Sequence, residues 1–142
     1  MKKVQAKIKH FQRRIKDANK KIKEFNEKKE KLHKKIWKLK DEKIPWIKKV
    51  IHQLKDKIAS LKKKIQCGGG DIKWLKKKLY EKECELKKRE KQLKNFEDEV
   101  KRKEKKIDWI EKKIRNLEKR NQKDEREIHK RREQEKQLKQ KI

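Results

Sequence analysis

Apolar residues recur at every seventh position through the second half of the chain. The row reads Ile72, Leu79, Leu86, Leu93, Val100, Ile107, Ile114, Asn121, Ile128, Glu135 and Ile142, with no slip of phase. A second row, at d if these are a positions, is weaker: Leu75, Lys82, Arg89, Phe96, Lys103, Ile110, Leu117, Asp124, Arg131 and Leu138. An unbroken seven-residue period predicts a long helix with a left-handed coiled-coil seam. The first half repeats the scheme, with Ile8, Ile15, Ile22, Lys29 and Ile36 at a, and Val4, Phe11, Ala18, Phe25, Leu32 and Leu39 at d. After Leu39 the phase slips by one residue and resumes as Ile44, Ile47, Ile51, Leu54, Ile58, Leu61 and Ile65. Pro45 lies at the slip. A proline lacks the amide donor and clashes with the preceding turn, so a kink or short break is expected near 42–46.

The halves are separated by Cys67-Gly68-Gly69-Gly70, which holds every glycine in the chain. Three glycines in a row mark a turn. The expected organisation is a coiled-coil arm over 1–66, a glycine turn over 67–70 and a second arm over 71–142. No strand is predicted. The fold class is all-α: two long helices forming an antiparallel coiled-coil hairpin, kinked near Pro45.

Reversal at the glycines brings together residues whose numbers add up to about 136–140. Ile65 then meets Ile72 or Leu75, and Ile8 meets Ile128 or Arg131. The polar d residues fall opposite apolar partners: Lys82 near Leu54 or Ile58, Arg89 near Ile47 or Ile51, Asp124 near Phe11 or Ile15. Long basic side chains can lie along such a seam with their charge in water. A parallel in-register dimer would instead stack Lys29, Lys82, Arg89, Lys103 and Asp124 each on its own copy, which like-charge repulsion disfavours. Pairing of arm one with arm two of a second chain would make the same contacts as the hairpin.

Charge adds a further test. The 142 residues include 53 Lys+Arg and 24 Asp+Glu, a net +29, and 54% of residues are charged. An ordinary domain carries about 25%, so a thick core is excluded. No apolar run reaches the roughly 18 residues of a membrane span, and the basic start MKKVQAKIKHF has no apolar stretch of a signal peptide after it. A cytoplasmic location is expected. The position after d in arm two reads Glu83, Glu90, Glu97, Glu104, Glu111, Glu118 and Glu125 in succession. The matching row of arm one runs through Lys40, Lys48 and Lys55. In the hairpin these rows meet, and Glu97 faces Lys40, Glu90 faces Lys48 and Glu83 faces Lys55. Exposed pairs of this kind are worth a few tenths of a kcal/mol and set register more than stability.

The opposite flank differs. The residues before each a position are Lys7, Arg14, Lys21, Lys28 and Lys35 in arm one and, in reverse order, Gln134, Glu127, Arg120, Lys113 and Lys106 in arm two. Antiparallel pairing brings Lys21 near Arg120, Lys28 near Lys113 and Lys35 near Lys106. These six cations have no acidic partner in their row, so the row repels itself unless an anion lies along it. It is the candidate site for nucleic acid or another polyanion, since contact with phosphate needs only positive charge. A solvated lysine-rich surface without a ligand has the same composition.

Trp37, Trp74, Trp109 and Tyr80 fall on b or c positions outside the seam, and Trp46 sits beside Pro45. The four tryptophans are candidate partner contacts, either for a second helical protein, including another copy of this chain, or for bases. Lateral protein packing is favoured, because the bases of a duplex are not open to stacking. The sequence contains no phosphate-binding loop, zinc-protease motif or nucleophile elbow. His10, His33, His52 and His129 are isolated. A zinc hook needs Cys-x-x-Cys, and the tip has only Cys67. Cys84 occupies an outward f position, and both thiols are expected to be reduced. No cofactor, no metal and no catalytic residue is expected. The expected function is that of a non-catalytic, strongly basic coiled coil that binds nucleic-acid backbone. The alternative is an assembly module that bundles through its Trp faces and charge rows.

Overall fold

A computed structural model describes residues 2–141, so Ile142, the last member of the a row, lies outside the described residues. The described residues are helical apart from the turn at 67–71 and Lys141. Helix α1 runs Lys2–Lys38, α2 runs Ile44–Gln66 and α3 runs Ile72–Gln140; among the described residues there is no strand. The helices pack together as an antiparallel hairpin. No helix of the described residues is long and apolar enough to cross a membrane.

Between α1 and α2 the helix does not break. Leu39–Lys43 form a π turn, in which the Ile44 amide reaches back to the Leu39 carbonyl. Lys38, Lys43 and Ile44 all keep right-handed helical φ and ψ. This turn accounts for the one-residue slip of the heptad: a π turn accommodates an extra residue, so the apolar stripe resumes one position late and still faces the partner helix. Pro45 falls in the first turn of α2, where a missing amide costs least.

The reversal is built by two glycines and one aspartate. The Cys67 amide donates to the Lys63 carbonyl at 3.1 Å and the Gly68 amide to the Ile65 carbonyl at 3.2 Å, closing α2. Gly68 and Gly70 take φ of +68° and +85°, a region closed to most L side chains. Asp71 then caps α3. Its Oδ1 accepts from the Lys73 amide at 3.1 Å and the Trp74 amide at 3.4 Å, satisfying donors left open by the first turn.

The hairpin divides into two compact units. The turn unit is His33–Glu104, and the terminal unit comprises the described residues of Met1–Leu32 with Lys105–Ile142. The turn unit buries Ile36, Leu39, Ile47, Ile51, Leu54, Ile58, Leu75 and Val100, all from the a and d rows. Its core is wholly apolar. Ile72 at the start of α3 is an exception to the expected seam, being exposed. The terminal unit buries Ile8, Ala18, Ile107, Ile110, Ile114 and Ile128, again a and d positions, but with them Asn121 and Asp124. Leu138 near its end is exposed.

The polar d residues show how a narrow core tolerates charge. Lys103, Lys82 and Arg131 lie part-buried and turn their charged ends to groups on their own helix. Lys103 Nζ donates to Glu99 Oε1 at 2.9 Å, which holds the Glu99 carboxyl below the usual glutamate range. Lys82 Nζ lies 3.6 Å from Glu85, and Arg131 Nη2 lies 3.8 Å from Glu127. Arg89 donates to Gln92 at 3.1 Å and lies over the Trp46 ring, 5.7 Å from its centroid. The stems stay in the seam while the charges remain partnered and hydrated.

Candidate functional site

Two flanks border the seam, and they use their cations differently. On the glutamate flank, lysines of the first arm pair across the hairpin. In the terminal unit Lys29 Nζ lies 3.8 Å from Glu111, and in the turn unit Lys40 Nζ lies 2.8 Å from Glu104. Lys29 comes from the a row, so the two flanking rows meet in the Lys40–Glu104 pair, and there the partner shifts. Lys40 was expected opposite Glu97 and instead reaches Glu104, one heptad further along α3. Among the described residues no ion pair joins Glu97 to Lys40, Glu90 to Lys48 or Glu83 to Lys55. A lysine stem spans more than a helical turn, so it takes whichever carboxylate the crossing geometry offers.

Within the terminal unit two polar layers cross the seam. Asn121 donates through its amide nitrogen to Asn19 Oδ1 at 2.9 Å. Asp124, expected among Phe11 and Ile15, instead meets Arg14, whose Nε stands 3.3 Å from its Oδ2. The contact is a close ion pair without ideal hydrogen-bond alignment, since that same oxygen is buried with no aligned donor. A buried carboxylate without a cation would be strongly disfavoured, and Arg14 is the basic residue in reach. Arg14 is thereby withdrawn from the basic row.

The remaining cations of that row are not paired. Lys21, Lys28, Lys106 and Lys113 are exposed and Arg120 is half-buried, all in the terminal unit; Lys35 is exposed in the turn unit. None of the six takes part in an ion pair among the described residues.

Three of them border an open groove of about 420 Å³ in the terminal unit, lined by Lys21, Phe25, Trp109, Lys113, Asn116, Leu117 and Arg120. At its heart Phe25 and Trp109 pack edge to face, with centroids 6.1 Å apart and planes at 84°. Lys28 Nζ stands 6.0 Å from the centroid of Phe25, and Lys113 Nζ 5.4 Å from that of Trp109, within the range of cation–π attraction. The Arg120 Nε is buried with no hydrogen-bond partner. Phe25 counts as a core residue by its heptad position. Its half-exposed place beside Trp109 follows from Trp109 standing at c, one step outside the seam and on the same side.

The other tryptophans lie elsewhere. Trp74 carries Lys78 over its ring at 5.7 Å, and Trp46 carries Arg89. Trp37, Trp46, Trp74 and Trp109 are each at least half exposed, and among the described residues no aromatic pair joins two of them. Cys67 is exposed at the turn. Cys84 is half-buried rather than fully outward, beside Tyr80, and a side-chain hydrogen bond between them raises the Tyr80 phenol above its ordinary value. Among the described residues no group of three or more His, Cys, Asp or Glu side chains is placed to hold a metal ion. Comparison with protein-family models, with curated proteins and with solved structures finds no match to this chain.

Proposed function

We propose that this protein is a non-catalytic, basic helical hairpin that binds the backbone of nucleic acids through the flank opposite its glutamates. The observation that carries this reading is the row of unpaired cations on that flank. Lys40 of the opposite flank pairs with Glu104 across the hairpin, while among the described residues Lys21, Lys28, Lys35, Lys106, Lys113 and Arg120 take part in no ion pair. Unpaired cations in one row attract a polyanion and release its counterions. Successive members on α3 lie seven residues apart, about 10 Å at 1.5 Å per residue, which is roughly three nucleotides of one strand at about 3.4 Å each.

The test is the salt dependence of binding to labelled oligonucleotides by fluorescence anisotropy. Engagement of the five cations in the terminal unit gives a slope of log affinity against log salt of about −3.5 for a single strand and −4.5 for a duplex. Charge reversal by Lys21→Glu, Lys28→Glu, Lys106→Glu and Lys113→Glu flattens that slope and weakens binding. Binding that survives the reversal unchanged overturns the reading. The four half-exposed tryptophans favour a second reading, lateral assembly of hairpins. Light scattering without nucleic acid separates the two, because assembly gives a salt-tolerant oligomer and backbone binding a monomer.

A further inference from the structure

We infer that the groove around Trp109 and Phe25 takes an unpaired nucleotide, so that the hairpin binds single-stranded DNA or RNA in preference to duplex. The inference rests on the backbone-binding reading and adds what a row of charges alone does not specify, the strandedness of the partner.

Two independent features carry it. The first is chemical. A sequence-tolerant single-strand site combines cations that track phosphate with aromatic rings on which bases stack. The terminal unit places both in one groove: Lys21, Lys113 and Arg120 line it, and Trp109 stands half exposed between them, braced edge to face by Phe25. The brace holds the indole in a fixed orientation, so little side-chain freedom remains to be lost when a base stacks. Lys113 presently lies over the indole. Its ammonium sits on a flexible stem and can move to the phosphate next to the stacked base, exchanging a weak cation–π contact for a stronger ionic one. Arg120 also lines the groove. A guanidinium carries donors suited to a phosphate oxygen.

The second feature is geometric. From Lys106 to Arg120 the row on α3 spans about 21 Å. That is about six base steps of B-form duplex at 3.4 Å per step, more than half of its roughly 10-base-pair turn. Over such a length the phosphates of one strand wind to the far side of the duplex, and a straight row loses them. A single strand has no such winding and can follow the row from one cation to the next. Duplex bases are also closed to stacking, so the Trp109–Phe25 pair contributes nothing to duplex binding.

The experiment compares four 20-nucleotide probes by anisotropy at one salt concentration: oligo(dT), oligo(U), a mixed-sequence duplex, and an abasic deoxyribose-phosphate strand that keeps the charge and lacks the bases. The expected order places oligo(dT) and oligo(U) at least about tenfold above both the duplex and the abasic strand, the size of one stacked base. Trp109→Ala removes that advantage and leaves duplex and abasic affinity within about twofold, while Trp109→Phe retains part of it. Trp109 is half exposed, and circular dichroism of the variants establishes that the helices persist. Equal affinity for oligo(dT) and the abasic strand, or an equal loss on all probes in Trp109→Ala, overturns the inference and leaves the backbone reading standing. Absence of binding to every probe overturns both. Oligo(U) binding well above or below oligo(dT) still supports the groove, and oligo(dU), which shares the base of one and the sugar of the other, then shows which of the two differences it reads.

Discussion

The turn unit and the terminal unit share one heptad plan and bury it differently. The fully buried residues of the turn unit are Ile, Leu and Val alone, its lysine and arginine d residues being only part-buried, whereas the terminal unit buries Asn121 on Asn19 and Asp124 on Arg14 among its isoleucines. Apolar layers are interchangeable, and a helix slipped by one heptad would still find greasy partners. Polar layers are not, because an asparagine or aspartate that misses its partner is left buried and unsatisfied. The apolar stretch therefore supplies the larger share of cohesion, and the polar layers set which residue faces which. Five of the six unpaired cations and the aromatic groove occur in the unit whose register is set most narrowly, as a site built from side chains on two helices requires.

The largest test of this contrast is a cavity in each unit. Ile47 in the turn unit and Ile110 in the terminal unit are almost completely enclosed, so Ile47→Ala and Ile110→Ala should each lower stability by about 2–5 kcal/mol in urea titrations. Hydrogen exchange sharpens the result. If the units open separately, Ile110→Ala accelerates exchange over residues 105–130 and spares 47–58. Uniform acceleration along the chain would mean one cooperative structure and would dissolve the distinction.

Removing one partner of a polar layer comes next. Asp124→Ala should cost about 1–3 kcal/mol by denaturant midpoint, since Arg14 loses its counter-charge and the enclosed space loses its polar occupant. The double change Arg14→Leu with Asp124→Leu should equal or exceed the parent in stability, while sedimentation detects slipped or multi-chain species. A double variant that stays a single monomeric species removes the register-setting role from this pair.

At the turn, Gly68→Ala should cost about 1 kcal/mol because φ there is +68°. Gly69 has an ordinary φ and open space around its Cα, so Gly69→Ala should change thermal stability by no more than about 0.5 kcal/mol. The smallest effect is expected at Lys40→Ala. Its short contact with Glu104 joins two half-exposed side chains, and such pairs contribute less than about 1 kcal/mol. A larger loss would make the paired flank a source of cohesion and not only of register.

Much of the candidate site can be traced to local rules. The row Lys21, Lys28, Lys35, Lys106, Lys113 and Arg120 follows from heptad position, being a stretch of the flanking row free of acids, and none of the six is in an ion pair among the described residues. Asp71 could have been recognised as a helix cap, since an aspartate directly after glycines and before an apolar period is a start signal. Other features were not legible. Lys40 pairs with Glu104 and not Glu97 because a long side chain chooses among carboxylates one heptad apart by angle and distance. Arg14 leaves the basic row because Asp124 is enclosed, and enclosure depends on the opposite helix. The pairing of Phe25 with Trp109 brings together a d residue and a c residue on different helices, and neither belongs to a repeating row that announces the other.

Heptad order, three glycines and one misplaced phase were enough to dictate two long helices, the point where the chain reverses and the place where the stripe must shift, since each is a property of neighbours along one backbone. The π turn that absorbs the shift, the cation given to Asp124 and the aromatic groove between Lys21 and Arg120 came into being only when the helices packed. They depend on crossing distance and on which side chain reaches across first, and those quantities belong to the pair of helices and to neither one alone.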